Sequence, residues 1–370
     1  MDANTLIPKL ALALIPGIGA NIARALMGRC ATAEEIFRLN RRDLLSIQGI
    51  GTLLADRLIH ADTFRRAEEE IRFLEKEHLE CRFLFDEDYP SQLAHCPDAP
   101  IVIFVRGEIP GRGFRMLSVV GTRNPSTRGK QITREIIQGL ADKGHQVVIT
   151  SGLAYGIDIQ AHIAALESGL KTIAVLGHGF HTLYPAVHRQ FADRISLQGG
   201  LISDFFSRNN PDPKNFIRRN RIIAGLSEAT LVIESGIKAG AMATAEMANS
   251  YDRDVMVIPG RTDDLMSKGC NYLIRTNQAS LVENSGDIEY LLGWNQELLK
   301  KIPFEPLLFD QLEPDEMIIH ELLNGPPLSV DHICRLAGFP VQKVSFLLLS
   351  LEFKGLIEAM PGKLYARTNN

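Results

Sequence analysis

Four glycine-punctuated loops, each directly after a short apolar run, dominate the stretch from Ser118 to Pro259: VVGTRNPSTRG, VVITSGLAYGID, IAVLGHG and VIESGIKAGAMAT. A strand that ends in Gly, Ser or Thr and opens onto a helix leaves backbone amides unpaired at the positive pole of the helix dipole, where anions collect. Around these loops, β-branched runs at 101–105, 117–120, 147–150, 172–176, 201–203, 231–234 and 255–258 alternate with helical periods, as where Ile132, Ile136, Ile137 and Leu140 share one face. Continuous apolar strands separated by amphipathic helices predict an α/β fold: a Rossmann-like, doubly wound, mostly parallel sheet covered on both faces. Ligands of such sheets bind beyond the carboxyl ends of the strands, where all four loops fall.

The flanks read differently. Residues 15–26 and 47–58 align without a gap on the frame apolar-x-Gly-Ile-Gly-x-x-x-Ala-x-x-Leu, a helix-hairpin-helix repeat. The turn amides of such a repeat can hold a DNA phosphate, although neither turn here contains Lys or Arg, so a purely architectural helical domain is the competing reading. A charged helix over 68–80 and a Pro-containing connection over 86–100 lead into the sheet. Near the C-terminus, helices over 315–323, from Ser329 and after Pro340, then a hairpin over 357–366, predict a winged helix. Its would-be recognition helix offers only Lys343 and Lys354 against Glu352, which favours protein contact over base reading. The expected organisation is an N-terminal SAM-like or helix-hairpin-helix domain over 1–80, the sheet domain over 81–295, a linker over 296–314 and the winged helix over 315–370.

A net charge of −4 over 370 residues excludes a protein that coats nucleic acid indiscriminately, so a polyanion site has to be local. Residues 212–221 supply one, with a net charge of +3. The five cysteines lack CxxC spacing, which argues against a disulfide frame or a zinc site and for a reducing compartment. With no long apolar segment either, a cytoplasmic protein without membrane contact is expected.

Within the loops, Gly121, Thr122, Arg123 and Ser126 offer amides, hydroxyls and a planar guanidinium suited to phosphate. Ser151, Gly152 and Gly156 in the second loop, and Gly240 in the fourth, let backbone approach a ligand. Lys214, Phe216, Arg218, Arg219, Asn220 and Arg221 form the most distinctive cluster. On a helix, Lys214, Arg218 and Arg221 share a face, and cations beside one aromatic ring are what a single-strand binder needs. Asp158 and His162, one turn apart, invite an acid/base reading, but a buried pair fixing the loop is favoured over it, since no Ser or Cys nucleophile has a recognisable setting nearby. No loop completes GxGxxG, so neither a nicotinamide nor a flavin cofactor is indicated, and no metal-ligand spacing occurs.

The strings VVGTRNPSTRG, SGLAYGIDIQAH, FIRRNRIIAGLS, GAMATAEMANSYDRDVMVIPG and SKGCNYLIR, in consecutive order over 117–282, resemble the DNA-processing protein A (DprA/Smf) family. The resemblance implies a non-enzymatic cytoplasmic protein that binds single-stranded DNA, forms a homodimer and loads the RecA recombinase during natural transformation. It matches Arg123 to the Arg of the family's G-S-R loop. Phe216, Arg218 or Arg219, Asn220 and Arg221 match its F-x-x-R-N-R segment, and Lys214 lies at that segment's basic approach. His181 stands where the family's GxGxDxxYP carries Asp, residues 203–206 lack the proline of Ser-Glu-x-Pro, and 238–245 replaces S-G-S-L-I-T-A. An alternative is a Rossmann-like nucleotide sensor or nucleotide phosphoribohydrolase, because 240–246 loosely resembles the G-G-x-G-T-x-x-E loop of those enzymes, in which the Glu is catalytic, with Glu246 as the candidate catalytic residue.

Overall fold

The computed structural model describes residues 3–111, 113–294, 312–360 and 362–368. The chain forms two compact units, Met1–Ser285 and Gly286–Asn370. Most of the expected linker, 296–311, lies outside the described residues.

The first unit begins with six helices: α1 (Ala3–Ala13), α2 (Ala20–Met27), α3 (Ala33–Ile36), α4 (Arg41–Leu45), α5 (Thr52–Ile59) and α6 (Phe64–Lys76). The two Gly-Ile-Gly turns join α1 to α2 and α4 to α5, and Arg57 of the second copy donates to the Pro16 carbonyl of the first turn at 2.9 Å. Leu10, Leu12, Leu26, Ile36 and Leu44 are buried in a core that continues into Phe83 and Phe104 of the sheet.

Nine strands follow: β1 (Glu80–Phe83), β2 (Val102–Gly107), β3 (Arg115–Gly121), β4 (Val147–Ser151), β5 (Lys171–Val175), β6 (Gly200–Ser203), β7 (Ala229–Ile233), β8 (Asp254–Val257) and β9 (Ser280–Leu281). They lie in the order β1-β2-β6-β5-β4-β3-β7-β8-β9. From β6 to β9 every pairing is parallel, and β2 and β1 extend that edge antiparallel. The doubly wound expectation is met, and β4, β6 and β7 are buried along their whole length, as strands covered on both faces must be. Between the strands run α7 (Ser91–Ala94), α8 (Thr127–Asp142), α9 (Ile157–Glu167), α10 (Arg189–Gln198), α11 (Pro213–Leu226), α12 (Gly240–Ser250) and α13 (Lys268–Arg275). Small hydroxyls pin the buried ladder: Ser118 donates to the Ile223 carbonyl at 2.7 Å and Thr172 to that of Ile149 at 2.7 Å.

One expectation is corrected here. The charged helix ends at Lys76 and not at Glu80, because His78 takes a left-handed φ of 52° and Glu80 pairs with Val105 to open β1. Winding runs from β3 through β4 and β5 to β6, then returns to place β7 on the other side of β3. Strand order therefore reverses at β3, and the loops after β3 and β7 diverge around a crevice.

The second unit contains helices Pro314–Leu322, Val330–Ala337 and Val341–Phe353 with strands Leu328–Ser329, Ile357–Met360 and Leu364–Arg367. This is the expected winged helix, closed over Ile319, Ile333, Val344, Leu348 and Leu351.

Candidate nucleic-acid interface

The loops after β3, β4, β5 and β7 meet at the carboxyl edge of the sheet. Gly156 makes the junction of the first two: its φ is 86°, and a Cβ there would lie 2.1 Å from the Thr122 carbonyl oxygen. Ile157 N–H donates to that same oxygen at 3.1 Å. Thr122 is buried, whereas Arg123 beside it is exposed, and no hydrogen bond or ion pair engages its guanidinium among the described residues. Ser126 caps α8 by accepting from Gly129 N–H at 3.0 Å, and its own N–H donates to Glu234 at 2.8 Å. Ser151 is buried and donates to the Val119 carbonyl at 2.6 Å, so its role is in the sheet.

Helix α11 starts at Pro213, with the Asp212 carboxylate accepting from Lys214 N–H at 2.8 Å. Its four cations divide. Lys214 is exposed, and so is most of Arg218, which lies over the Phe205 ring and reaches Asp204 at 3.3 Å. Arg221 turns inward, pairing with the buried Asp204 at 2.5 Å and with the Asp98 carbonyl.

The expected shared face of Lys214, Arg218 and Arg221 is thus divided, and Arg219, expected among the nucleic-acid-binding residues, lies inside the protein. Its side chain is buried, donating to the Gly152 carbonyl at 2.7 Å and to that of Val175, and so it ties the ends of β4 and β5 together. Gly152 leaves room for it, since a Cβ there would lie 2.4 Å from the guanidinium. Burial lowers the Arg219 pKa to about 10, which keeps it charged opposite Asp158. Burial pushes the Asp158 carboxyl up, against the pull of Arg219 and the amides of Ala154 and Gly152. His162 is buried too, but its Nδ1 meets the Thr172 hydroxyl at 2.7 Å. Because that hydroxyl already donates to Ile149, His162 is the donor, and its buried Nε2 is without a partner among the described residues. Burial, then Arg219, then His188 lower the His162 pKa to about 3.

Phe216 is half-buried over Gly177, with its ring centroid 5.6 Å from that of Tyr184. Tyr184 is 49% exposed and Tyr155, beside Gly156, is 45% exposed. Sequence reasoning gave neither tyrosine a role. Their signal was an aromatic ring within a glycine- or proline-punctuated loop at a strand end, a setting that core packing does not require. Asn220 joins α11 to the start of α12 by donating to the Gly240 carbonyl at 3.3 Å, and His181 meets Asn210 at 3.0 Å. Tyr184, with Phe216 of α11 packed against it, Tyr155, Arg123 and Gly240 thus follow the loops of β5, β4, β3 and β7 in spatial order.

Glu246 is exposed on α12, and the buried thiols of Cys96 and Cys270 are raised by desolvation to about 11. Among the described residues no cluster of three His, Cys, Asp or Glu could hold a metal, and no single helix is long and apolar enough to cross a membrane. In the winged helix, Lys343 pairs with Asp315 at 2.6 Å and Lys354 with the buried Glu316 at 2.5 Å, while Phe346 and Phe353 are exposed on the same helix.

Comparison with known proteins agrees with this architecture. Residues 80–293 match the family model of DNA recombination-mediator protein A, 303–363 the DprA winged helix domain, and 9–61 the SAM-like helix-hairpin-helix tandem. The chain is 32% identical to Protein Smf of Synechocystis sp., with 97% of this chain and 98% of that protein aligned. It is 37% identical to Protein Smf of Escherichia coli over 75% of this chain and 74% of that protein. The X-ray structure of DNA processing protein A from Streptococcus pneumoniae superposes with a TM-score of 0.63 at 32% identity, covering 77% of this chain and 96% of that one. DNA processing protein A from Helicobacter pylori, described for its single-stranded DNA binding mode, gives a TM-score of 0.51 at 26% identity, covering 58% of this chain and 96% of that one. With its sheet domain, winged helix and helix-hairpin-helix tandem all matched, this chain belongs to the DNA-processing protein A (DprA/Smf) family.

Proposed function

We propose that this protein binds single-stranded DNA along the carboxyl edge of its sheet, acts as a homodimer and hands the strand to the RecA recombinase without itself performing catalysis. The observation that carries this reading is the exposed Arg123, whose guanidinium has no hydrogen-bond or ion-pair partner among the described residues, together with the exposed rings of Tyr155 and Tyr184 at the ends of neighbouring parallel strands. Arg123, Lys214 and Arg218 take phosphates, Tyr155, Tyr184 and Phe216 offer faces on which bases stack, and Arg219 holds the floor beneath them. The edge from β5 to β7 spans three strand spacings, roughly 14 Å, so one pocket seats only a few nucleotides. Two pockets in a dimer then raise affinity through effective concentration. Membership of the family supports transfer to RecA, and the apolar surface of the winged helix suits a protein partner better than a DNA groove.

Fluorescence anisotropy of a labelled strand of about 35 nucleotides, against its duplex and over a salt series, tests the reading. Preference for the single strand is expected, with a logarithmic salt slope of about −0.7 per phosphate neutralised. Arg123→Glu removes most of the binding. Equal affinity for duplex, or an Arg123→Glu variant within about threefold of wild type, contradicts the assignment.

A further inference from the structure

In open α/β sheets the phosphate of a nucleotide sits where strand order reverses, against the amides that begin a helix. In this protein one of its own carboxylates occupies that seat. Glu234 follows β7 directly, in a left-handed backbone with φ 52°, a conformation that residues with side chains rarely adopt. Its main chain closes the crevice by accepting from Thr122 N–H at 2.7 Å. Its carboxylate accepts from Ser126 N–H at 2.8 Å and from the Ser126 hydroxyl, at the N-cap of α8. Gly129, in the first turn of α8, leaves space for it: a Cβ at that position would lie 2.5 Å from the Glu234 carboxyl carbon. The negative group is therefore built in, by a strained residue on one loop and a glycine on the other.

We infer that Glu234 is a specificity-determining residue that occupies the seat of a nucleoside monophosphate's terminal phosphate and so excludes free nucleotides from the crevice. A phosphomonoester carries about −1.5 to −2 charge near neutral pH and needs both the amide and the hydroxyl that Glu234 holds. An internal phosphodiester carries a single charge and is met by the Arg123 side chain outside the seat. Discrimination thus comes from a repulsive element as well as an attractive one. The benefit, a strand site that mononucleotides do not compete for, rests on the single-strand reading; the exclusion itself does not.

The probe is deoxyadenosine 5′-monophosphate, with deoxyadenosine as control, titrated calorimetrically into wild type, Glu234→Gln and Glu234→Ala. Glu234→Ala, which vacates the seat, is expected to gain at least about tenfold in affinity for the monophosphate, as one charge-assisted hydrogen bond restored to the ligand implies, Glu234→Gln, which removes only the charge, a smaller gain, and neither variant anything for the nucleoside. The Gln variant keeps the side-chain volume should Ala fail to fold. In wild type, millimolar monophosphate should leave a labelled oligonucleotide bound. Ordinary displacement from wild type, or folded variants with unchanged monophosphate affinity, overturns the inference. If wild type binds no oligonucleotide while the variants still gain the monophosphate, the strand reading fails and the exclusion stands.

Discussion

Replacing Arg219 with Met separates a structural strut from a DNA contact. The guanidinium satisfies the carbonyls of Gly152 and Val175 and compensates the buried carboxylate of Asp158. Removing one partner of a buried charge pair costs about 3–5 kcal/mol, and each carbonyl left without a donor about 1–3 kcal/mol. Asp158 keeps the amides of Gly152 and Ala154 and can take up a proton, which offsets part of that loss. A deficit of about 4 kcal/mol is expected, a large share of the 5–15 kcal/mol that typically holds a domain together. Urea denaturation followed by circular dichroism, on Arg219→Met, Asp158→Asn and the double variant, should show a coupling of about 2 kcal/mol or more. The deficit should also grow with pH. An aspartate whose folded pKa lies above its unfolded value stabilises the fold below the unfolded pKa and loses that contribution as pH rises through the folded one. Arg218→Met, at a largely exposed side chain, should instead lower strand affinity with little change in stability. An Arg219→Met variant that unfolds like wild type and loses only strand binding would refute the strut.

Two further outcomes are expected. Tyr155→Ala and Tyr184→Ala should each weaken single-strand binding by roughly 1–3 kcal/mol in the anisotropy assay, with Phe at either position retaining it; two silent Ala variants would remove the stacking platform. Stability should fall as pH drops from about 6.5 towards 3, because His162 stays neutral in the folded protein while the unfolded chain takes up a proton. This single histidine contributes a slope of up to about 1.4 kcal/mol per pH unit, and His178, lowered chiefly by burial, adds to it. His162→Gln should flatten the profile by one proton's worth in acid melts, and an unchanged slope would discount the group.

The sheet was legible in the sequence because its strands are covered on both faces and read as unbroken apolar runs, and the winged helix because its core positions keep helical spacing. Strand β1 escaped notice: Glu80–Phe83 alternates exposed and buried residues after a charged helix, and only its antiparallel pairing with β2 makes it a strand. The site was legible as a set of loops, less so as individual side chains. Arg218 and Arg219 are neighbours of the same type, yet one faces water and the other is buried, because Asp158 and two strand-end carbonyls from distant segments wait beneath α11. Glu234 likewise follows an ordinary apolar run, and its position against Ser126 and Gly129 depends on the return of the chain to the far side of β3.

The buried carboxylate of Glu70 has a consequence for how load travels through the molecule. Lying on α6, it accepts from both the N–H and the hydroxyl of Ser207 at 2.7 Å and pairs with Arg66 at 2.9 Å. Ser207 stands three residues beyond Asp204, the group that Arg218 and Arg221 of α11 hold. The segment leading into α11 is therefore anchored at both ends, once to its own helix and once to the N-terminal helices. Load on the start of α11 thus has a path through Ser207 into α6 and the N-terminal helices, and not only into the sheet beneath it.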